Sequence, residues 1–204
     1  MPTGEPTTRL RADALRNRER VLAAAEAAFG EKGASVPLDE IAARAGVGAG
    51  TVYRHFPTKQ SLFEAIVLGR LERLVEAARE RSSEEDPGEA LFAFLGHMHA
   101  QSRESRALKD ALAGAGFDAK VAASSALAEL RAALAELLSR AQRAGAARTD
   151  IDVEDLMAIL AAAFLAEATR RADAERADLV LTVLLDGLRP PAGRTRQGDA
   201  PGIS

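Results

Sequence analysis

The chain has no cysteine and no tryptophan. Without a thiol, disulfides and thiolate metal sites are excluded, and nothing points to an oxidising compartment. Histidine is scarce as well, at three residues. His97 and His99 resemble a metal pair, but they stand two apart and fall on different faces of a helix. No metal and no cofactor is expected. No apolar run reaches the ~18 residues that a membrane span needs. The opening "MPTGEPTTRLRADALR" holds no apolar core of signal-peptide length. A soluble cytoplasmic protein with no membrane partner is expected. The alternation of apolar and polar residues that marks a half-buried strand is missing too.

What is present favours helices. Apolar residues make up 47% of the chain, most of them Ala and Leu, which are the strongest helix formers. The 204 residues suit one compact unit, or a small domain joined to a larger one. Net charge is −3, but it is unevenly spread. Residues 1–59 carry nine basic and seven acidic side chains, and the remainder carries 18 and 23. A mildly basic front precedes an acidic body, which supports other evidence without deciding anything alone.

Helical periodicity runs almost throughout. A first helix is expected from about Ala12 to Lys32, on Val21, Leu22, Ala25, Ala28 and Phe29, with Gly33 as its stop. A short helix follows over Leu38–Ala45, with Pro37 in its first turn. Gly46-Val47-Gly48 is a turn, and a third helix covers about Ala49 to His55. Thr58 caps a fourth helix reaching about Arg81. "SSEEDPGEA" opens a fifth, striped by Leu91, Phe94, Leu95 and Met98. A shorter helix is expected around Arg103 to Leu112. Another carries Leu127, Leu130, Leu134, Leu137, Leu138 and Ala141 and stops at Gly145. The last two run from about Val153 to Arg170 and from about Ala174 to Leu188, before Pro190. The expected fold is therefore all-α, with about nine helices. It divides into a flexible arm (1–10), a three-helix helix-turn-helix domain (11–58), a larger helical domain (59–189) and a flexible tail (190–204).

"GVGAGTVYRHF", Gly46 to Phe56, poses the functional question. Three glycines at alternate positions suggest a phosphate loop. A dinucleotide fingerprint needs Gly-x-Gly-x-x-Gly after a buried strand. Its third glycine falls on Thr51, and the preceding "PLDEIAARA" is charged and helical. The Gly-Lys-Ser/Thr ending of a P-loop is absent. A helix-turn-helix accounts for the positions better. Gly46 supplies the positive φ of a tight turn. Ile41, Ala45, Val47 and Val52 lock two helices together, with small Ala42 permitting close approach. Phe56 belongs to the core, and Tyr53 points away from the Val52–Phe56 face.

"LDEIAARAGVGAGTVYRHFPTKQSLFEAI", Leu38 to Ile66, resembles the DNA-binding domain of TetR-type (tetracycline-repressor family) transcriptional regulators. The specific elements are Ile-Ala-x-x-Ala-Gly-Val, Gly-Thr-x-Tyr-x-His-Phe, then a Lys and a Leu-Phe pair. The close match covers about a quarter of the chain. The resemblance implies that the third helix enters the major groove of a palindromic double-stranded DNA operator. Tyr53, His55 and Lys59 would then touch phosphate or sugar, and Thr51 and its neighbours would face base edges. The candidate DNA-contact set is Arg44, Gly48, Ala49, Gly50, Thr51, Tyr53, Arg54, His55 and Lys59. Gly48, Ala49 and Gly50 offer few donors, and Asp39-Glu40 repels phosphate, so base readout falls mainly to Thr51 and Arg54. Arg9, Arg11, Arg16 and Arg18 either enter a narrow minor groove, or only screen the backbone or stay disordered.

"LVLTVLLDGL", Leu179 to Leu188, is apolar nearly all round, so it is buried on several sides. Together with an Ala-rich preceding helix it suggests a homodimer through a four-helix interface, the alternative being a central core helix within one monomer. The interface residues are Ala162, Ala166, Leu181, Leu184, Leu185 and Leu188. An effector pocket between helices is expected to draw on Leu74, Phe94, Met98, Gln101, Phe117 and Phe164, each of which also reads as plain core. The expected function is a repressor released by a small apolar effector. The alternatives are a DNA-binding regulator without an effector, or an activator. An all-α enzyme is the remaining rival, and no catalytic residues are visible for it.

Overall fold

Eight α-helices and one 3-10 turn make up the described residues, 5–104, 124–169 and 174–191, of a computed structural model of the chain. They are α1 (Glu5–Lys32), the 3-10 turn Gly33–Ser35, α2 (Leu38–Ala45), α3 (Ala49–His55), α4 (Lys59–Arg81), α5 (Pro87–Glu104), α6 (Ser124–Arg143), α7 (Val153–Thr169) and α8 (Ala174–Leu188). No strand occurs among the described residues. The separate helix expected around Arg103 to Leu112 lies outside them, apart from Arg103 and Glu104, which close α5. The tail lies outside them from residue 192 onward.

Helix α1 begins at Glu5 instead of Ala12. Pro6 reads as a sign of a loose arm, yet proline is well suited to a first turn, where its missing N–H would have no partner. Residues 5–10 are therefore helical. The other ends follow local chemistry. Gly33 and Gly145, at φ 74° and 71°, stop α1 and α6. Ser61 N donates to Thr58 Oγ1 at 3.0 Å and Thr58 N donates to Ser61 Oγ at 3.2 Å, a reciprocal cap on α4. Asp86 Oδ1 accepts from Gly88 N and Glu89 N at 2.9 and 3.0 Å, with Pro87 at the first helical position of α5. Asp152 and Asp155 exchange the same kind of bond at the start of α7.

The chain forms two compact units. The first comprises Met1–Glu76 and Ala100–Leu130, and the second Ala77–His99 and Arg131–Ser204. The core of the first unit joins Val21, Ala25 and Phe29 of α1, Ile41 and Ala45 of α2, Val52 of α3 and Phe56 to Leu62, Phe63 and Ile66 of α4. The opening turns of α4 therefore belong to the same core as the helix-turn-helix. A division at 58/59 marks where a helix starts, and the compact unit runs on to Glu76.

In the second unit α5 buries Leu91, Phe94 and Leu95, α6 buries Leu134, Leu137, Leu138 and Ala141, and α7 buries Leu156 and Leu160. Helices α7 and α8 pack on each other. Arg140 of α6 donates to the carbonyls of Ser82 and Glu84. The end of α8 is held by the loop after α6. Arg148 N donates to Leu188 O at 2.9 Å, and the Arg148 guanidinium donates to Gly187 O at 3.0 Å. These bonds occupy helix-terminal carbonyls that have no partner of their own. Leu127 is an exception to its expected stripe, being 44% exposed, while Ala126 beside it and Leu130 one turn on are buried.

Candidate nucleic-acid interface

Helix α2 stops because Gly46 turns left-handed, at φ 63° and ψ 37°. Gly46 N and Val47 N close back onto the carbonyls of Ala43 and Ala42, each at 3.1 Å. An L-residue is strained in this conformation. A Cβ on Gly46 would also lie 2.5 Å from a guanidinium nitrogen of Arg20, which donates to Gly46 O at 3.2 Å. Gly48 is extended, and its carbonyl accepts from Thr51 N at 2.9 Å, opening α3. The two helices are locked as the sequence suggests. Ile41, Ala42, Ala45 and Val52 are buried, Val47 packs half-buried against the same core, and Phe56 is sealed at the end of α3.

The rest of α3 faces outward. Tyr53 is 47% exposed, Arg54, His55, Ala49 and Gly50 are exposed, and Thr51 is half-buried. The side chains of Tyr53, Arg54 and His55 bond to none of the described residues.

The other expected contacts are placed differently. Arg44 is tied to Glu31 at 2.8 Å and Glu40 at 3.3 Å, and Lys32 reaches Glu40 at 2.7 Å. The hydrogen bond from Lys32 is the main cause that lowers the Glu40 pKa, and the bond to Glu31 is the main cause that raises that of Arg44. Glu40 therefore faces two cations and is less repulsive to phosphate than the sequence suggests. Lys59 Nζ donates to Ala34 O at 3.1 Å and to Ser35 O at 3.2 Å. Arg18 lies 5.8 Å from the centre of the Phe56 ring, within cation–π range. Arg16 pairs with Asp13. The side chains of Arg9 and Arg11 lie outside the described residues. These partners were invisible in the sequence because most come from segments 13 to 38 residues away.

Expected residues of the body divide between the units. Leu74 and Gln101, half-buried, belong to the first; Phe94 and Met98, both buried, and Phe164, half-buried, belong to the second. Phe117 lies outside the described residues. Of the dimer set, Ala162 is exposed, Leu181, Leu184 and Leu185 are half-buried, and the side chain of Ala166 lies outside the described residues. Leu188 is 2% exposed, so it packs inside its own unit. Sequence reasoning missed the most exposed apolar side chains here: Leu179 (57%) and Val183 (63%) on α8, and Ile159 (39%) and Leu165 (67%) on α7. Leu179 and Val183 stand four apart, hence on one face, but a helix apolar all round conceals which face that is. Among the described residues no cluster of side chains fits a metal ion. No described helix is long and apolar enough to cross a membrane.

A glycine-turned pair of short helices, core-locked on one side and polar on the other, defines the first unit as a helix-turn-helix head. Comparison with known proteins extends this beyond the head. The family model for bacterial regulatory proteins of the tetR family matches residues 21–66, and the model for the C-terminal domain of SbtR-like transcriptional regulators matches residues 86–190. A TetR transcription regulatory protein from Mycobacterium vanbaalenii is 48% identical and shares the fold at a TM-score of 0.71, over 88% of this chain and 99% of that one. The TetR transcriptional regulator SCO0520 from Streptomyces coelicolor is 35% identical, with a TM-score of 0.69 over 86% and 99% of the two chains. The probable acrEF/envCD operon repressor of Escherichia coli (strain K12) is 28% identical over 167 residues, 76% of each chain. The chain belongs to the TetR family of transcriptional regulators.

Proposed function

We propose that the protein is a repressor that binds a palindromic operator as a homodimer and is released by a small apolar effector. One observation carries the DNA-binding part. Helix α3 seals Val52 into the core and presents Tyr53, Arg54 and His55 to solvent on a rigid two-helix frame. A duplex groove accepts such a helix. Arg54 supplies the bidentate donor for a guanine edge, and Tyr53 and His55 suit the sugar–phosphate strand. Repression is supported by the relative named as an operon repressor.

The homodimer is supported by the exposed apolar side chains of α7 and α8, which a second copy would cover. Two copies present two α3 helices, which matches paired half-sites on a duplex. Release follows by linkage. An effector that prefers the DNA-incompetent state draws the population there, and operator must weaken effector by the same factor. Within the second unit, Phe94, Met98 and Phe164 remain candidate pocket residues.

Purified protein should select genomic fragments that share one palindromic sequence. Recovery of fragments no better than random duplex would refute the operator reading. An effector Kd that stays unchanged at saturating operator would refute release by linkage.

A further inference from the structure

Lys59 carries a role that its place in the motif conceals. It opens α4, and its ammonium donates to the carbonyls of Ala34 and Ser35, 25 and 24 residues earlier, at 3.1 and 3.2 Å. Those carbonyls end the 3-10 turn that continues α1. Carbonyls at a helix end lack intrahelical partners and carry the negative end of the dipole, so a cation is favoured there. Everything between the two ends of this link is the reading head: α2, the Gly46 turn and α3.

We propose that Lys59 is a positioning residue, a clamp that joins the chain where it enters the helix-turn-helix to where it leaves. Two of the three ammonium donors are committed to this link. The clamp closes a loop of about 25 residues, which restricts the freedom of α2 and α3 relative to α1 and α4. Its contribution to operator binding is preorganisation of α3, not neutralisation of a phosphate. The operator arm of the test rests on the regulator reading above; the exchange arm does not.

The test is Lys59→Met, which keeps much of the chain's length and removes charge and donors. Amide hydrogen exchange in the free protein should accelerate roughly ten- to hundredfold across residues 38–56, as expected for loss of charge-assisted hydrogen bonds. Amides of α1 before Phe29 should be unchanged, which a general loss of stability would not leave so. Lys59→Arg, able to donate to both carbonyls, should restore protection. On the selected operator, Lys59→Met should bind more weakly by the same factor at every salt concentration, with the slope of log K against log salt equal to wild type. A slope shallower by about 0.9, the signature of one lost phosphate contact, overturns the proposal. So does unchanged exchange over 38–56. If Lys59→Met fails to fold, the wild-type protein decides. With four lysines in the chain, the Nζ of Lys59 is resolvable by NMR. Couplings from it to the carbonyl carbons of Ala34 and Ser35 support the clamp, and their absence overturns it. If no operator is recovered, the regulator reading fails while the exchange and NMR measurements still decide the clamp.

Discussion

Helices α3 and α8 each place one fully buried side chain in the core of their unit, Val52 and Leu188 respectively, among the side chains described. What they leave outside differs. The seven-residue α3 exposes a phenol, a guanidinium and an imidazole. Helix α8 exposes Leu179 and Val183, more than half accessible each. Hydrogen-bonding groups held on a short rigid frame suit a polar, charged partner whose groups are fixed in space, such as a duplex. Exposed hydrocarbon suits a surface that excludes water. One chain thus displays two chemically different surfaces, and each is probed by a different kind of substitution.

The largest effect is expected from Val183→Glu. If α8 meets a second copy, the carboxylate is trapped in an apolar contact with no partner. An uncompensated buried charge costs roughly 3–5 kcal/mol, or about 10² to 10³·⁵ in the dimer dissociation constant. Sedimentation should show monomer at concentrations where wild type is dimeric, and operator binding should fall with it. The unfolding midpoint of a monomer head is not expected to move. An unchanged assembly state would remove α8 from the interface.

Next come two neighbours on α3 that the comparison separates. Val52→Ala removes two buried carbons and should cost about 2 kcal/mol of folding stability. Arg54→Ala should leave stability nearly unchanged and cost about 1–3 kcal/mol on the preferred operator, with less loss on random duplex. Urea unfolding and operator titration together read both. Equal loss on specific and random sequences would make Arg54 a backbone contact.

The glycines sharpen the same contrast at smaller scale. Gly46→Ala forces a left-handed alanine and should cost about 1–2 kcal/mol of stability; the Arg20 guanidinium in the way is flexible and can move. Gly50 differs. A Cβ there meets nothing within 4 Å, so Gly50→Ala should stabilise the free protein by up to about 1 kcal/mol through helix propensity. On the operator the added methyl stands on the outward face of α3, and binding should weaken. Thermal unfolding and operator titration of both variants check the opposite signs.

These contrasts also show which parts of the molecule the sequence exposes to a reader. The turn, the ends of α2 and α3 and the buried set Ile41, Ala45, Val52 and Phe56 were readable, because they depend on neighbours within a few residues. Lys59 and Arg44 were not. Their partners, Ala34, Ser35 and Glu31, lie 13 to 25 residues away, and a motif gives a residue's position without its bonds. Helix α8 was readable as an element over Ala174–Leu188 but not as a surface. When nearly every side chain is apolar, periodicity cannot tell Leu188, which faces in, from Val183, which faces out. The start of α1 at Glu5 was hidden by the double meaning of Pro6, which marks loops and first turns alike.

The smallest expected effect concerns how the end of α8 is held. Arg148 caps it through Gly187 O and Leu188 O, and Asp150 grips the other side of the same guanidinium at 2.6 and 2.7 Å. That hydrogen bond is the main reason the Asp150 pKa falls from 3.8 to about 2. A depressed carboxylate stabilises the fold above its unfolded pKa and loses that contribution as pH falls through the folded value. The pair should therefore act fully above about pH 4 and fade toward pH 2. Both side chains are substantially exposed, so solvent screens the interaction and the change in stability is small. A carboxyl titration by NMR should give Asp150 a midpoint near 2, rising toward the ordinary aspartate range in Arg148→Ala. Were Asp150 to titrate like an unpaired aspartate in the wild type, Arg148 would not be oriented by it. The end of α8 would then rest on the backbone bond to Leu188 and on buried carbon alone.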